Sequence, residues 1–450
     1  MALGRRKAKQ QDLWIAATNL PQAPGHPFYQ KLNQLLAEAG FDAYVEELCR
    51  PFYAEKVGRP GILPGTYFRM LFIGYFEGLD SQRGIAWRCS DSRSLQSFLG
   101  FLADEATPDH SSLTVIRQRL PETVHEQVFA FVLRIAEAKE LLRGKTVAVD
   151  ATFLEANAAM KTIVRRDTGD DWKAYVRKLA AEAGIEDPTD EELRRFDKTR
   201  KDKKVSNEEW VSSSDPDSRI AKMKDGTTHL AYKAEHAVDL KSNLILAAEV
   251  HAADRADNAT MMDTVLSAQI NLVRAEATAD IKEVVADKGY HKAETLSACA
   301  AAGIRTYIPE AKKRQPRSWT DKPVAWERAY RGNQRRLRGR RSKALQRLRS
   351  EYVERTFAHV CETGGARRSW LRGLVKVSKR YLMQVAAHNL GIMMRKLFGI
   401  GTPRSLQAGL PALFAWISFR IFIHWTSMRQ DQRFALSRSY DAPVRLLNVA

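Results

Sequence analysis

The sequence predicts an α/β protein in two parts, an N-terminal all-helical domain followed by a domain built on a mixed sheet. Three observations carry this. The first 142 residues show helical punctuation and no strand-like runs. From Lys145 onward, short Val-rich apolar runs begin. Strands come first in this second part, and helix and strand then alternate, the order of a mixed sheet covered by helices. With 450 residues, 44% of them hydrophobic, the chain can bury a core in two or three domains.

In chain order, residues 1–25 read as a basic, Pro-punctuated arm without the apolar stretch of a secretory signal. Residues 26–142 form the helical domain. Pro64 opens PGTYFRMLFIGYFEGL, where Pro suits the first turn and Gly78 suits the end. DSQRGIAWRCSDSRSLQSFLGF reads as two short helices, with Ser81 and then Ser92 or Asp91 as N-caps. In a basic protein such a pair is either a helix-turn-helix-like DNA reader or a bundle that only packs. After a turn-rich hinge at 103–112, a helical pair divided by Pro121 runs to Leu142.

Residues 143–400 form the sheet domain. VAVDATF, HLAYKAEHAVDL, NLILAAEVHAA, EVVADKGY and RTYIPE read as strands. DNATMMDTVLSAQINLVRAEA, capped by Asp257 or Asn258, and KAETLSACAAAG, ending at Gly303, read as helices between the later strands. A charged insert at about 160–214, poor in large apolar groups, reads as solvated helix or a partly disordered arm. Residues 401–450 are an extension of unassigned role. Its run LFAWISFRIFIHW contains Arg420 and is short for a membrane span, so it reads as a buried or dimer-facing helix.

Charge narrows the class of partner. Lys and Arg number 72 against 53 Asp and Glu, a formal net charge of +19. That excess points to a polyanion, most often nucleic acid. It is concentrated at 311–350, where fifteen Lys and Arg face two acids, Asp321 and Glu327, with Trp319, Trp326 and Tyr330 interleaved. Basic groups neutralise phosphates and aromatic rings stack on unpaired bases, so this segment, with Arg335, Arg336, Arg338 and Arg340, is a candidate DNA contact. The alternative is a solvated charged surface. No CxxC pair exists among the four cysteines, and the histidines form no ligand spacing with them, so neither a disulfide framework nor a structural zinc site is expected.

Three acids stand where metal chemistry would want them. Asp150 follows the apolar run TVAV, and Asp287 follows EVVA. Glu354 shares a helical face with Phe357 and Cys361 in EYVERTFAHV. Carboxylates suit hard Mg²⁺, and two such ions can clamp the attacking and leaving oxygens of a phosphodiester. Ligands of open α/β sheets also gather outside the carboxyl ends of strands. Competitors are Glu351, one turn from Glu354, and Glu155, close after Asp150. Asp239 reads as a hairpin-turn residue, and Asp254 and Asp257 as a loop residue and a helix cap.

In this order, VAVDATFLEAN, AYKAEHAVD, VVADKGYHK and YVERTFAHV resemble the catalytic core of the DDE transposases of bacterial insertion sequences. The block from HPFYQKLNQLLAEAGF to SFLGFLADEATPDHSSLTVIRQRL resembles their N-terminal helical domain, so the likeness covers about residues 26–400. The resemblance implies an RNase H-like fold with Asp150, Asp287 and Glu354 as catalytic and metal-holding residues. It implies two Mg²⁺ ions, with Mn²⁺ as the alternative. The implied substrates are double-stranded DNA, namely terminal inverted repeats and target DNA. A homodimer in the active complex and a cytoplasmic, nucleoid-associated site of action in a bacterium, with no membrane partner, are further expectations. Lys288, Tyr290 and Arg355, beside the catalytic acids, are candidate DNA contacts. The sequence departs from the family around the glutamate. Cys361 stands where a Lys is common and Ser350 where an Arg is common, although Arg347 and Arg349 are close by. Rival readings are a nuclease of the same fold without strand transfer and an inactive or domesticated DNA-binding derivative.

Overall fold

The computed structural model describes residues 25–54, 61–102, 104–201, 206–223, 226–311 and 317–404. Seven helices come first: α1 (Pro27–Glu38), α2 (Phe41–Cys49), α3 (Pro64–Glu77), α4 (Gln82–Asp91), α5 (Arg93–Leu99), α6 (His110–Arg119) and α7 (Glu122–Ala138). Local chemistry sets their ends. Proline occupies the first turn of α1 and α3, and left-handed Gly78 terminates α3. The Ser81 and Ser92 hydroxyls accept from the backbone N–H of Gly84 and Leu95, capping α4 and α5. Pro121 precedes α7 as expected. Helix α3 is apolar nearly all round and is buried on nearly every side, as such a helix must be. Its one buried cation, Arg69, is held by both carboxylate oxygens of Asp42 and by Asn33.

The sheet region contains β1 (Thr146–Glu155), β2 (Ile163–Arg165), α8 (Trp172–Glu182), α9 (Asp190–Thr199), β3 (Trp210–Ser212), β4 (Arg219–Lys222), β5 (Thr228–Asp239), β6 (Ile245–Ala252), α10 (Asp257–Arg274), β7 (Glu283–Val285), α11 (Ala293–Ala301), β8 (Arg305–Tyr307), α12 (Val324–Leu337), α13 (Arg340–Phe357) and α14 (Leu374–Phe398). Strands β6, β5, β1, β7 and β8 lie side by side in that order. The first three are antiparallel, while β1, β7 and β8 are parallel. Strand β4 extends the sheet on the β6 side, beside the first residues of β5. This is the mixed sheet of an RNase H-like domain. The β5–β6 hairpin turns on Asp239, whose carboxylate accepts from the backbone of Lys241 and Arg143 and from the Ser242 hydroxyl. Helices α10 and α11 make the crossovers to β7 and β8. Helix α14 packs against α3, α7 and β6, so the helical region and the sheet share one apolar core.

Two local expectations are corrected, and a third is decided between its alternatives. Strand β1 runs on to Glu155, so Asp150 is mid-strand rather than at a strand end. Helix α10 begins at Asp257 with Ala256 as its cap, and the Asp257 carboxylate is taken instead by the Lys233 ammonium at 3.2 Å. The charged insert, among its described residues, takes the helical alternative, with α8 and α9 largely solvated but packed on each other. Its few large side chains gather: Val176, Ala180 and Leu193 form a small core with Trp172, Tyr175 and Phe196, beside the β2–β3 ribbon. The Arg165 guanidinium lies over the Tyr175 and Trp210 rings and pairs with Asp167 and Glu209, so its charge is neutralised while its stem packs. The arm at 1–24 and the segment 405–450, with the apolar run at 413–425, lie outside the described residues. Among those described, no helix is long and apolar enough to cross a membrane.

Because Leu193 is buried in a core separate from the main one, Leu193→Ala is expected to cost the insert about 2–3 kcal/mol. Limited proteolysis should cut faster within residues 160–214, while the main thermal transition stays where it is.

Candidate active site

Strand register brings Asp150 and Asp287 together. The parallel pairing of β1 and β7 ends at Ala148 opposite Val285. Two residues further on stand Asp150, still within β1, and Asp287, beyond the end of β7 in extended conformation, so the register leads both aspartates to the same end of neighbouring strands. Asp150 is about three-quarters buried, at 24% side-chain exposure. One of its carboxylate oxygens accepts from the Ala151 N–H, and the other accepts from the Arg349 guanidinium at 2.6 Å. Asp287 caps a 3-10 turn, Lys288–Tyr290, by accepting from the Gly289 N–H at 2.7 Å.

Helix α13 lies across this end of the sheet. The Gln346 amide donates to the carbonyls of Ala286 and Tyr307 at the ends of β7 and β8, and Arg349 reaches Asp150 one turn later. Val353, Thr356 and Phe357 face inward, and Glu354, next to Val353, is exposed. Its competitor Glu351 is paired at the surface with Arg355 at 2.5 Å. Glu155 is five residues beyond Asp150, about 17 Å along the strand and on the other face. There it lies near His229 and Arg368. Among the described residues, no group of three or more His, Cys, Asp or Glu side chains is spaced to hold a metal ion. The register thus gathers two carboxylates, and Glu354 stands on the adjoining helix without closing on them.

The Asp287 turn is anchored from inside. Tyr290, expected at the DNA surface, is fully buried, and its hydroxyl donates to Glu235 at 2.8 Å. It therefore supports the turn rather than touching DNA. Glu235 also accepts from the Thr260 and Thr264 hydroxyls, and burial raises its carboxyl above the usual range. Lys233, two residues earlier on the same face, donates to Asp257, Thr260 and the Arg255 carbonyl. A Cβ on Gly289 would lie 3.0 Å from an Asp287 oxygen and 3.1 Å from an Asp257 oxygen, so glycine lets both acids approach the turn. A charged pair at alternate positions of an otherwise apolar strand, YKAEHAV, was the signal for this support.

On the opposite face, His236 pairs across the strands with Asp150 and projects to the same side. Its two ring nitrogens meet the Thr356 hydroxyl at 3.0 Å and the Tyr381 hydroxyl at 2.7 Å, and its ring stacks on Phe357. Burial holds its pKa well below the ordinary imidazole value, so the ring ties β5 to α13 and α14 as a neutral group.

The remaining candidates divide. Lys288, Arg335, Arg338 and Arg340 are exposed, and so is Arg355 beside Glu351. Arg336 is turned to the sheet and donates to the Thr306 carbonyl and hydroxyl, so it fastens α12 to β8. Trp319 and Tyr330 pack on each other and on Arg317, and Glu310 accepts from both Tyr330 and Arg317. These two rings are therefore engaged internally rather than open for stacking.

Two family models match this chain. A transposase domain of the DUF772 type matches residues 19–119, and the transposase DDE domain matches residues 142–390, more than half of the chain. The chain belongs to the DDE transposase family. No curated protein and no solved structure matches it. The DDE domain spans both aspartates, α13 and the buried supports beneath them. DDE transposases are DNA-cleaving and DNA-transferring enzymes that work with divalent metal ions. The donors gathered here are carboxylate oxygens, the hard ligands such ions take.

The buried histidines make the fold acid-sensitive. Burial lowers His125 to about 4 and also holds His236 well below its ordinary value. A depressed folded-state pKa contributes stability above the unfolded value of 6.5, and that contribution is lost as pH falls. The unfolding free energy in urea is expected to drop between pH 6.5 and 4, on the order of 3 kcal/mol for His125 alone. A His125→Gln variant should show a visibly flatter pH profile.

Proposed function

We propose that this transposase binds the terminal inverted repeats of an insertion sequence, cuts a strand at each end and joins the freed 3′-hydroxyl to target DNA. Asp150, Asp287 and Glu354 are its catalytic carboxylates. The observation that supports this reading is the parallel register of β1 and β7, which leads to Asp150 and to the Asp287 turn under α13, the helix that bears Glu354.

Asp150, Asp287 and Glu354 would hold two divalent ions, Mg²⁺ or Mn²⁺. The chemistry such a pair supplies is activation of the attacking water or 3′-hydroxyl and neutralisation of the leaving oxygen. The protein's own part is positioning and charge balance. The Lys233–Glu235–Tyr290 network fixes the Asp287 turn, and His236 fixes β5 against α13. Arg349 supplies the counter-charge to Asp150. A guanidinium pairs with phosphate as well as with carboxylate, so Arg349 can exchange Asp150 for a strand phosphate when DNA arrives. Exposed Lys288, Arg335, Arg338, Arg340 and Arg355 form the cationic surface around the site. Helices α4 and α5, separated by Ser92 alone, offer the helical region a DNA-reading pair. Bringing two element ends together calls for a homodimer in the active complex.

Purified protein and end DNA, with Mg²⁺ or EDTA, test the catalytic assignment. Metal-dependent nicking should fall by roughly three orders of magnitude or more in Asp150→Asn, Asp287→Asn and Glu354→Gln, with DNA binding kept. Nicking retained by a variant removes that residue from the site. Pre-cut ends that are never joined would favour a nuclease without strand transfer. Binding without nicking by wild type would favour an inactive derivative.

Replacing Arg335, Arg338 and Arg340 together with Ala is expected to weaken DNA binding and flatten its salt dependence, by about 0.9 in logarithmic slope for each phosphate no longer neutralised. An unchanged slope from a salt titration would return these arginines to the solvated surface.

A further inference from the structure

A second cationic site lies away from the carboxylates, at the seam between the helical region and α14. A cavity of about 160 Å³ is lined by Tyr67, Leu71, Arg117, Lys379, Arg380 and Gln384, with Trp370 and Leu371 also on its wall. Arg117, from α6, is 8% exposed, and its Nε and Nη1 have no hydrogen-bond partner. One terminal nitrogen of Arg380, from α14, is likewise buried and unpartnered. Lys379 is 7% exposed and donates to the Arg117 and Leu120 carbonyls. Burial depresses all three cations, Arg380 to about 10. Two acids are near. Asp80 accepts from the Trp370 indole N–H at 2.8 Å, and Glu122 lies toward Lys379. Among the described residues, neither acid pairs with the Arg117 or Arg380 guanidinium.

Such an arrangement is costly as it stands. A buried guanidinium with open N–H edges forfeits its hydration without replacing it, a penalty of several kcal/mol. Arg117 and Arg380, each with an unpartnered buried guanidinium nitrogen, line one cavity whose wall is otherwise largely apolar, and such nitrogens suit a compact group that carries several acceptor oxygens and negative charge. Phosphate meets that description, and guanidinium N–H groups match its oxygens in pairs. We propose that this cavity binds a phosphate group and, by joining Arg117 of α6 to Arg380 of α14, clamps the helical region onto the catalytic region. The group is either free phosphate or the terminal phosphate of a DNA strand. The site is separate from Asp150, Asp287 and Glu354 and does not depend on their role.

The test is calorimetric titration of the full chain with sodium phosphate at constant ionic strength. Wild type should bind saturably, and Arg117→Met and Arg380→Met should each weaken binding at least tenfold. In phosphate-free buffer the folded variants should melt no lower than wild type, because an unpaired buried charge has been removed. Phosphate should then raise the wild-type melting temperature more than theirs. Displacement by a 5′-phosphorylated oligonucleotide, but not by its 5′-hydroxyl counterpart, identifies a DNA end as the source. Displacement by neither identifies free phosphate. Should Arg117→Met not fold, Arg380→Met carries the same comparison. No saturable binding to wild type, or binding unchanged in the variants, overturns the proposal.

Discussion

The parallel pairing of β1 with β7 is the constraint on which the rest of this molecule depends. Val147, Ala148 and Val149 are fully buried between β5 and β7, on both faces of the sheet, so a one-residue slip of β1 would exchange the side chains that each face packs and carry Asp150 to the other face. The same register leads to Asp150 and Asp287 at one end of the sheet. It also places an acid in the middle of a central strand, where an unpaired charge would be strongly destabilising. Arg349 answers that charge from above, which ties the position of α13 to the position of the acid.

Helix α13 carries this constraint outward. Gln346 holds it to the ends of β7 and β8, and Phe357 seats its end on His236. A π-helical turn, Ala358–Thr363, follows directly. Such turns are rare and frequently lie at functional sites. Beyond it, the chain meets α3 at very close range. A Cβ on Gly364 would lie 2.5 Å from the Tyr75 ring, and one on Gly78 would lie 3.0 Å from the Thr363 carbonyl. The helical region is therefore packed against the same turn that ends the glutamate-bearing helix.

Beneath the sheet, Lys233, Glu235, Thr260, Thr264 and Tyr290 form a polar network in an otherwise apolar layer. Every interaction in it is strengthened by low local dielectric, and every loss would be magnified for the same reason. Its geometric product is a rigid Asp287 turn, with Gly289 leaving room for Asp257 alongside. The ionic groups around the proposed site thus divide into those that line it, Asp150, Asp287 and Arg349, and those that hold it from behind.

Much of this was legible in the amino-acid order. Proline, glycine and serine punctuation marked both ends of α3 and the starts of α4, α5 and α7, because those effects are local to one turn of chain, whereas α6 starts at an Asp109 cap inside the expected hinge and α7 stops at Ala138. Apolar runs marked β1 and β5 to β8 but not the short β2, β3 and β4, and the order of motifs pointed to the mixed sheet and the family. Asp150 and Asp287 were marked by the apolar runs that precede them. Tertiary structure decided what depends on partners distant in sequence. Tyr290 went inward because Glu235, fifty-five residues earlier, supplied its hydrogen bond. Arg336 turned to Thr306, and the insert found a core in a handful of aromatic and aliphatic side chains. Arg349 met Asp150 across 199 residues. Periodicity tells which face of an element is apolar, whereas the pairing of buried charges is set only when the strands and helices have met.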